Sequence, residues 1–216
     1  MNDCLEIFRS TAHQIPQVDG DSLMISLTAH DALLVADIQN DFLPGGALEI
    51  NGGDDILLIL MNYVQRFQSR SLPIFLTRDW HPSNHCSFRS QGGPWPAHCV
   101  ANSPGSLPPP SFSAPPSAVI IYKAIDRDQE AYSAFQHTAL DRHLRALSVQ
   151  RLFIGGLATD YCVLNSVKDA RMLGYNVCLL VDGIKAVNLR PDDGRRAEAE
   201  MIRLGAIPIQ WKMLQS

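Results

Sequence analysis

The chain has 216 residues, of which 46% are hydrophobic, and this is enough apolar material for the core of one domain of ordinary size. A formal net charge of -4 and a sequence pI of about 5.9 give no basic surface, so we expect neither a nucleic-acid partner nor binding to an anionic membrane. No apolar run approaches the roughly 20 residues of a membrane span, and the amino-terminal segment lacks the pattern of a signal peptide. We therefore expect a cytoplasmic protein that acts on small molecules. The sequence leaves the oligomeric state open, and a homo-oligomer is among the states allowed.

The cysteines of the chain favour a reducing compartment. There are five of them, an odd number, and no two form a CxxC pair, so a disulfide framework is not indicated. We expect free thiols at Cys4, Cys86, Cys99, Cys162 and Cys178.

Short β-rich runs alternate with segments of helical periodicity along most of the chain. The runs cover residues 32–39, 73–79, 118–123, 151–158, 176–183 and 206–211. Near-continuous apolar strands separated by helices are typical of a parallel sheet that is covered on both faces. The sequence therefore predicts an α/β fold, a doubly wound sheet of about six mainly parallel strands with helices on both faces.

Apolar residues at three- and four-residue steps predict four helices between these strands. A proline-rich stretch at 104–117 is interpreted as a surface loop, because the alternation of strands and helices resumes after it. Residues 1–30 fit no element and are treated as an unassigned extension, with the domain at 31–216. The helical stripes are Ile56, Leu57, Leu60, Met61, Val64 and Phe67; Phe135, Leu140, Leu144 and Leu147; Val163, Val167, Ala170 and Leu173; and Ala197, Met201 and Leu204, which precede a stop signal at Gly205.

Titratable residues stand at the carboxyl ends of four consecutive predicted strands. The first strand ends at Asp37, the second at Asp79, the third at Lys123, and the fourth runs into the turn that carries Cys162. Each residue alone has an ordinary structural explanation, as a solvated loop start or a packed cysteine. Together they indicate a reactive site, because ligands of such sheets bind beyond the carboxyl ends of the strands.

Cys162 has the local setting of a nucleophile. We expect Thr159 to cap the helix that follows the fourth strand, which places Cys162 in the first helical turn, where free N–H groups favour a thiolate. The glycines at 155–156 allow a tight turn, and the N–H groups of Ala158 and Cys162 can then face the oxygen of a carbonyl under attack.

The thiol also needs a base, and Asp37 is the candidate. It ends the first strand, which we expect to be central in the sheet, so its carboxylate can accept the thiol proton. Lys123 then orients that carboxylate. The sequence predicts a catalytic set of Asp37, Lys123 and Cys162.

A second cluster, "TRDWHPSNHCSF" at 77–88, has the spacing of a metal site. Asp79 and His81 lie two residues apart and face the same way on extended backbone, and His98 can complete the set from a later loop. Three protein ligands leave positions open, which suits a catalytic or substrate-binding ion better than a structural zinc. Such ligands bind one divalent ion, zinc, iron or manganese, and we favour zinc. His85 is either a fourth ligand or a residue that holds the loop by hydrogen bonds, and we favour the second.

Five stretches together resemble the nicotinamidase (pyrazinamidase) branch of the isochorismatase-like cysteine hydrolases. The resemblance spans roughly residues 31–211 and keeps the order of the family's motifs. The stretches are "DIQNDF" (37–42), "TRDWHPSNHCSF" (77–88), "GPWPAHCV" (93–100), the lysine of "YKAIDRDQEAYSAF" (122–135) and "GGLATDYCV" (155–163).

The resemblance implies a Rossmann-like sheet and a function. The function is hydrolysis of nicotinamide, and of its analogue pyrazinamide, through a cysteine thioester, as a step of NAD salvage in which a divalent ion binds the ring nitrogen. It also implies a non-proline cis peptide bond between Leu157 and Ala158. By position, it implies the catalytic residues Asp37, Lys123 and Cys162, the oxyanion hole Ala158 and Cys162, the metal ligands Asp79, His81 and His98, and the substrate-binding aromatics Phe42, Trp95 and Tyr132.

The chain departs from the family pattern at a few positions. Ala124 follows the lysine where the family usually has Gly, and Glu130 and Ala131 stand where Asp and Ser are usual. Residues 100–105 read "VANSPG" where Gln and Gly are common. We expect these changes to affect loop shape and rate, not the chemistry.

Two other functions stay open at this stage. One is that of another amidohydrolase or isochorismatase-like hydrolase of the same fold, and the Asp79 and His81 pair argues against it, because such relatives generally lack that pair. The other is a catalytically silent metal-binding module, which the complete set of Asp37, Lys123 and Cys162 argues against.

Overall fold

The computed structural model describes residues 24–215, and its centre is a sheet of six strands. All five strand pairs are parallel, so the predicted parallel sheet is confirmed. Each strand overlaps one predicted run, with ends that coincide or differ by up to three residues. The strands are β1 (Asp31–Ala36), β2 (Ile74–Asp79), β3 (Val119–Lys123), β4 (Arg151–Leu157), β5 (Asn176–Lys185) and β6 (Ile207–Ile209).

The strand order is β3-β2-β1-β4-β5-β6, so the chain moves outward from β1 in one direction and then outward from β4 in the other. β1 and β4 are therefore the central pair, in register from Asp31 opposite Arg151 to Ala36 opposite Gly156. In open α/β sheets the ligand crevice lies at such a reversal, outside the carboxyl ends of the strands. The topology therefore places the crevice where the sequence puts its titratable residues.

Four α-helices in the described chain cover both faces of the sheet. Alternate residues of β1 point to opposite sides, with Leu33 and Val35 in the core under α1 and Leu34 in the core under the other three helices. The predicted doubly wound architecture is thereby confirmed. The helices are α1 (Leu57–Ser69), α2 (Leu140–Ala146), α3 (Leu164–Met172) and α4 (Asp193–Arg203).

The helical stripes are confirmed at their centres and wrong at some ends. Leu140 and Leu144 are fully buried on α2, but Phe135 precedes the helix and Leu147 is 50% exposed at its end. Leu173 lies just beyond α3 and is also partly exposed. Periodicity identified the buried faces, while the helix ends depend on the turns that follow.

The proline-rich stretch 104–117 is an ordered loop that packs against the sheet. Phe112 is buried in the core under α1, and the buried Ser106 accepts a hydrogen bond from Gln39. Four of the predicted free thiols, Cys86, Cys99, Cys162 and Cys178, are unpaired, while Cys4 lies outside the described residues. Within residues 24–215 there is no helix long and apolar enough to cross a membrane.

Candidate active site

Asp37 lies directly after β1 and turns its carboxylate into the sheet edge. Its φ of 49 degrees is in the left-handed region, which ends the strand. The Thr77 hydroxyl, on β2, donates to Asp37 Oδ1 at 2.6 Å and accepts from the Asp37 N–H at 3.2 Å. Asp37 Oδ2 receives no well-aligned hydrogen bond from the described residues, and the ammonium of Lys123 lies 3.0 Å from it. A carboxylate with one oxygen fixed and one available has the arrangement of a general base.

Lys123 connects the carboxyl ends of four strands through one buried ammonium group. Its Nζ lies 3.0 Å from Asp37 Oδ2, 2.5 Å from Asp79 Oδ1 and 3.4 Å from Cys162 Sγ. Burial lowers the pKa of Lys123, but the two carboxylates raise it more, so the pKa stands well above its usual value. The lysine is therefore charged, and it fills the space between these three groups.

Cys162 is only 5% exposed and lies in a π-helical turn, Thr159–Val163, that leads into α3. The prediction that Thr159 caps this helix is wrong, because Ala158 is the cap residue and makes no side-chain cap. Burial raises the pKa of Cys162 well above its usual value; Lys123 lowers it, and the carboxylate of Asp37 raises it. The expected thiolate is therefore also wrong for the resting site, since desolvation outweighs the helix terminus. The resting thiol is protonated.

Asp37 and Cys162 form an acceptor and donor pair. A carboxylate oxygen of Asp37 lies within 4.8 Å of the sulfur. Burial raises the pKa of Asp37 above its usual value, against the opposing charge of Lys123. A raised carboxylate pKa brings the base closer to the thiol in proton affinity, which favours transfer between them.

The turn before Cys162 contains the implied cis peptide bond, between Leu157 and Ala158, and this prediction is confirmed. The carbonyl of Ala158 accepts the N–H groups of Tyr161 and Val163, both at 3.1 Å. Gly156, at a φ of +112 degrees, packs so closely on the backbone of Ala36 that a Cβ would collide with it. The turn is thus held against β1, next to Asp37.

Asp79, His81 and His98 come together as the spacing predicted, with one donor atom of each within 4.8 Å of the others. Nδ1 of His81 lies 3.0 Å from the carbonyl of His98, and Nδ1 of His98 lies 2.8 Å from the carbonyl of Pro96. A carbonyl only accepts, so both Nδ1 atoms carry the hydrogen and both Nε2 lone pairs are free. Burial lowers the pKa of His81 to about 4, although Asp79 raises it, and this keeps the ring neutral. Two imidazoles held through Nδ1, beside a carboxylate, fit a divalent ion.

His85 holds its loop by hydrogen bonds, and these contacts support the interpretation favoured from the sequence. Its Nδ1 lies 2.7 Å from the Ser87 hydroxyl, and its Nε2 lies 3.1 Å from the carbonyl of Gln129. Since Nε2 must donate to that carbonyl, it has no lone pair for a metal in this arrangement.

A cavity joins the thiol to the ligand set and is lined by the three predicted aromatics. Phe42 packs against His98, with ring centroids 5.6 Å apart, and Trp95 Nε1 donates to the Tyr132 hydroxyl at 3.0 Å. The cavity is lined by Phe42, Leu48, Ile50, Asp79, His81, Trp95, His98, Glu130, Tyr132, Ala158, Tyr161, Cys162 and Val187. The cavity therefore brings Cys162, the ligand set and the three aromatic side chains around one space.

The departures from the family pattern have clear structural settings. Ala124 has a φ of 52 degrees, a conformation that glycine adopts more easily. Glu130 lines the cavity. Ala131 contacts Lys123 Nζ through its carbonyl, at 3.1 Å, so the missing serine side chain does not alter that contact.

Sequence reasoning missed several residues that form the site. Gln39 links two of its loops: Nε2 donates to the Asp79 carbonyl, and Oε1 accepts the Asp79 N–H at 2.9 Å. Tyr161 packs edge-on against Trp95, with centroids 5.1 Å apart. Gln39 and Thr77 lie inside the motifs "DIQNDF" and "TRDWH", so their positions beside Asp37 and Asp79 were a usable signal.

Comparisons with known proteins agree with this geometry. The isochorismatase domain matches residues 31–213. Nicotinamidase of Escherichia coli (strain K12) is 39% identical over 196 residues, which cover 81% of this chain and 92% of that protein.

Solved structures give the same relationship. A pyrazinamidase of Pyrococcus horikoshii in complex with zinc has 45% identity and a TM-score of 0.81, over 84% of this chain and 99% of that one. PnC1 from L. infantum, in complex with nicotinate, has 33% identity and a TM-score of 0.80, over 89% of this chain and 99% of that one. The chain therefore belongs to the isochorismatase family, in the branch that contains these nicotinamidases and pyrazinamidases.

Proposed function

We propose that this protein hydrolyses nicotinamide to nicotinate and ammonia, and that it also accepts pyrazinamide. The observation that carries the proposal is the single cavity in which Cys162, with its base, faces the ligand set of Asp79, His81 and His98. The similarity of the chain to bacterial nicotinamidases supports the choice of nicotinamide as the substrate. Nicotinate produced in this way is a precursor in NAD salvage.

Acylation begins with the protonated thiol. Asp37 accepts the thiol proton as Cys162 Sγ attacks the carboxamide carbon, so the thiolate exists only while it reacts. The N–H groups of Ala158 and Cys162 donate to the oxyanion that forms. The proton held by Asp37 then passes to the nitrogen, the C–N bond breaks, and ammonia leaves a thioester on Cys162.

Deacylation uses the same base. Asp37 takes a proton from water as the water oxygen attacks the thioester carbon. The C–S bond then breaks, the proton on Asp37 passes to the sulfur and regenerates the thiol of Cys162, and nicotinic acid leaves and gives its proton to ammonia. Lys123 stays charged throughout and offsets the negative charge that moves between the carboxylate, the sulfur and the oxyanion. The sum of both steps is nicotinamide plus water to nicotinate plus ammonium.

Asp79, His81 and His98 would hold one divalent ion, zinc by preference. When bound, such an ion supplies a Lewis acid that takes the lone pair of the pyridine nitrogen. Phe42, Trp95 and Tyr132 pack against the ring and fix its plane, so that the carboxamide reaches Cys162. The protein discriminates between amides by this ring contact.

The same proposal covers the setting of the enzyme. The hydrolase domain is assigned to residues 31–216, and residues 1–30 stay an unassigned extension. We place the protein in the cytoplasm, with a small-molecule substrate and no nucleic-acid or membrane partner. A homo-oligomer is among the allowed states, and the mass of the protein in solution would show whether copies of the chain associate.

The test is an assay of purified protein, with zinc present, on nicotinamide and pyrazinamide. Ammonia and the carboxylic acid product should appear in equal amounts, and the Cys162→Ala variant, which folds with the same ligand set, should produce neither. Hydrolysis of other amides alone would favour the alternative hydrolase. Metal binding without any hydrolysis would favour the silent module.

A further inference from the structure

Asp41 occupies a position between the aromatic wall of the cavity and the loop that carries His98. It belongs to a 3₁₀ turn, Asn40–Phe42, and is followed directly by Phe42, which contacts the His98 ring. Its carboxylate makes a short hydrogen bond to the loop: the Cys99 N–H donates to Asp41 Oδ2 at 2.6 Å. Nothing in the chemistry described above uses this carboxylate.

The residue that Asp41 holds has an unfavourable backbone. Cys99 has a φ of 46 degrees, in the left-handed region that residues other than glycine adopt only at a cost in free energy. A charged acceptor on its N–H is about twice as strong as a neutral one, so it can offset that cost. The carboxylate therefore stabilises the turn of the chain at Cys99.

That turn positions both histidines of the ligand set. His98 precedes it, and the His98 carbonyl accepts the hydrogen of His81 Nδ1 at 3.0 Å. The Cys99 carbonyl accepts the His81 N–H at 3.1 Å. If the turn at Cys99 relaxes, His98 moves with it and His81 loses the partners that fix its ring and its tautomer.

Neighbouring backbone groups confine the carboxylate of Asp41 to one position. The Ala47 N–H donates to Asp41 Oδ1 at 3.3 Å, which holds the second oxygen. Gly105 lies against the carboxylate so closely that a Cβ there would collide with all three of its atoms. The site is thus built around the aspartate from three loop segments.

We propose that Asp41 is a positioning residue for the metal site: through the turn at Cys99 it sets the spacing and orientation of His81 and His98. The inference rests on the proposed assignment of these histidines as ligands. It predicts that Asp41 governs affinity for the ion, while the cluster of Asp37, Lys123 and Cys162, which it does not contact, keeps its chemistry.

The experiment measures the zinc affinity of folded protein by competition with a chromophoric chelator, without substrate. Asp41→Ala should weaken zinc binding by roughly 10- to 100-fold, and Asp41→Asn, which keeps an oxygen acceptor, should weaken it less. Gly105→Ala should also weaken it, because the added methyl displaces a carboxylate that is still present. The cobalt-substituted variants should show a changed visible spectrum, which reports ligand geometry independently of stability.

A matched control is Asp193→Ala. Asp193 accepts the Arg190 N–H at 2.7 Å at the start of α4, so the variant removes a similar bond, together with an exposed ion pair to Arg196, from a segment that does not carry the ligands. It should leave zinc affinity unchanged. Equal zinc affinity in Asp41→Ala and the wild type, or an equal loss in Asp193→Ala, would overturn the inference alone. A wild-type protein that binds no zinc would overturn the metal assignment as well.

Discussion

The two halves of the candidate site are built differently. Asp37, Lys123 and Cys162 are fixed at strand ends or in the turn that follows a strand, and they contact one another through buried charges. In the other half only Asp79 ends a strand, while His81 and His98 lie in loops whose backbones hold each other. The half to which we assign proton transfer is part of the sheet, and the half to which we assign ring recognition is part of the loops.

This difference separates the effects of mutation. Changes in the sheet half leave buried charges without partners, so they reduce both stability and the rate of the chemical step. Changes in the loop half alter how the ion and the substrate ring are held. They act mainly on the affinity for the substrate and on the selectivity between substrates. Four variants or treatments test the distinction, from the largest expected effect to the smallest.

Removing the central ammonium should damage the protein most. Lys123→Met leaves the buried carboxylates of Asp37 and Asp79 without their shared cation, and we expect a loss of about 3–5 kcal/mol in the free energy of unfolding together with loss of turnover. Denaturant unfolding measures the change in the free energy of unfolding. Lys185→Met is the control, because its ion pair with Asp55 is exposed and should contribute less than about 1 kcal/mol. Similar losses in both variants would contradict the role given to the buried lysine.

Asp37→Asn should separate turnover from thiol ionisation. Turnover should fall by roughly 100- to 10,000-fold, because no group accepts the thiol proton. The pKa of Cys162 should fall at the same time, since the negative charge of Asp37 raises it. Removing that charge favours the thiolate beside Lys123.

The pH profile of Cys162 alkylation by iodoacetamide, followed by peptide mass spectrometry, reports this change. Its midpoint should move to lower pH in Asp37→Asn, so that alkylation at a fixed pH below the midpoint is faster while hydrolysis is slower. A midpoint that stays in place or moves up would show that Asp37 does not act on the thiol. Mapping by peptide is needed because Cys86 is a second free thiol that is partly exposed to the reagent.

Chelation tests the loop half. With zinc bound, nicotinamide should be hydrolysed with a kcat/KM at least roughly 100-fold above that of benzamide, which lacks the ring nitrogen and otherwise has the same shape. After removal of the ion this ratio should approach one, chiefly through a higher KM for nicotinamide. Pyrazinamide should follow nicotinamide. Efficient benzamide hydrolysis by the zinc-bound protein would assign the ligand set a role other than ring recognition.

Ala124→Gly should have the smallest effect of the four, and we expect it to raise the free energy of unfolding. Ala124 follows the catalytic lysine at a positive φ, and glycine adopts that conformation without steric cost. After allowance for the freedom that glycine adds to the unfolded chain, we expect a gain of about 1 kcal/mol, or about 2–4 °C in Tm. Ala199→Gly, on the exposed face of α4, should lose about 1 kcal/mol instead. Calorimetry on both variants distinguishes a local backbone effect from a general one.

The sheet and the reactive residues could be predicted because their signals are local in sequence. Apolar runs identify the strands, and the residue at the end of each run identifies the group that reaches the crevice, as for Asp79 and Lys123. The protonation of Cys162 could not be predicted in this way, because its helix position favours a thiolate and only the packed structure shows how far burial opposes it. Asp41 was missed for a related reason: its partner, Cys99, is distant in sequence and has an unusual φ that no local pattern indicates.

The contacts of Lys123 also affect how the sheet opens. β3 is an edge strand, and among the described residues it pairs with β2 alone. Two of its side chains, Val119 and Tyr122, are exposed. An edge of this kind ordinarily frays first and exchanges its amide hydrogens early. Here the ammonium of Lys123, the last residue of the strand, contacts Asp37 and Cys162 beyond the ends of β1 and β4. We therefore expect β3 to fray from Val119 and to stay closed at Lys123, so that deuterium uptake along this strand follows the integrity of the site in the resting protein.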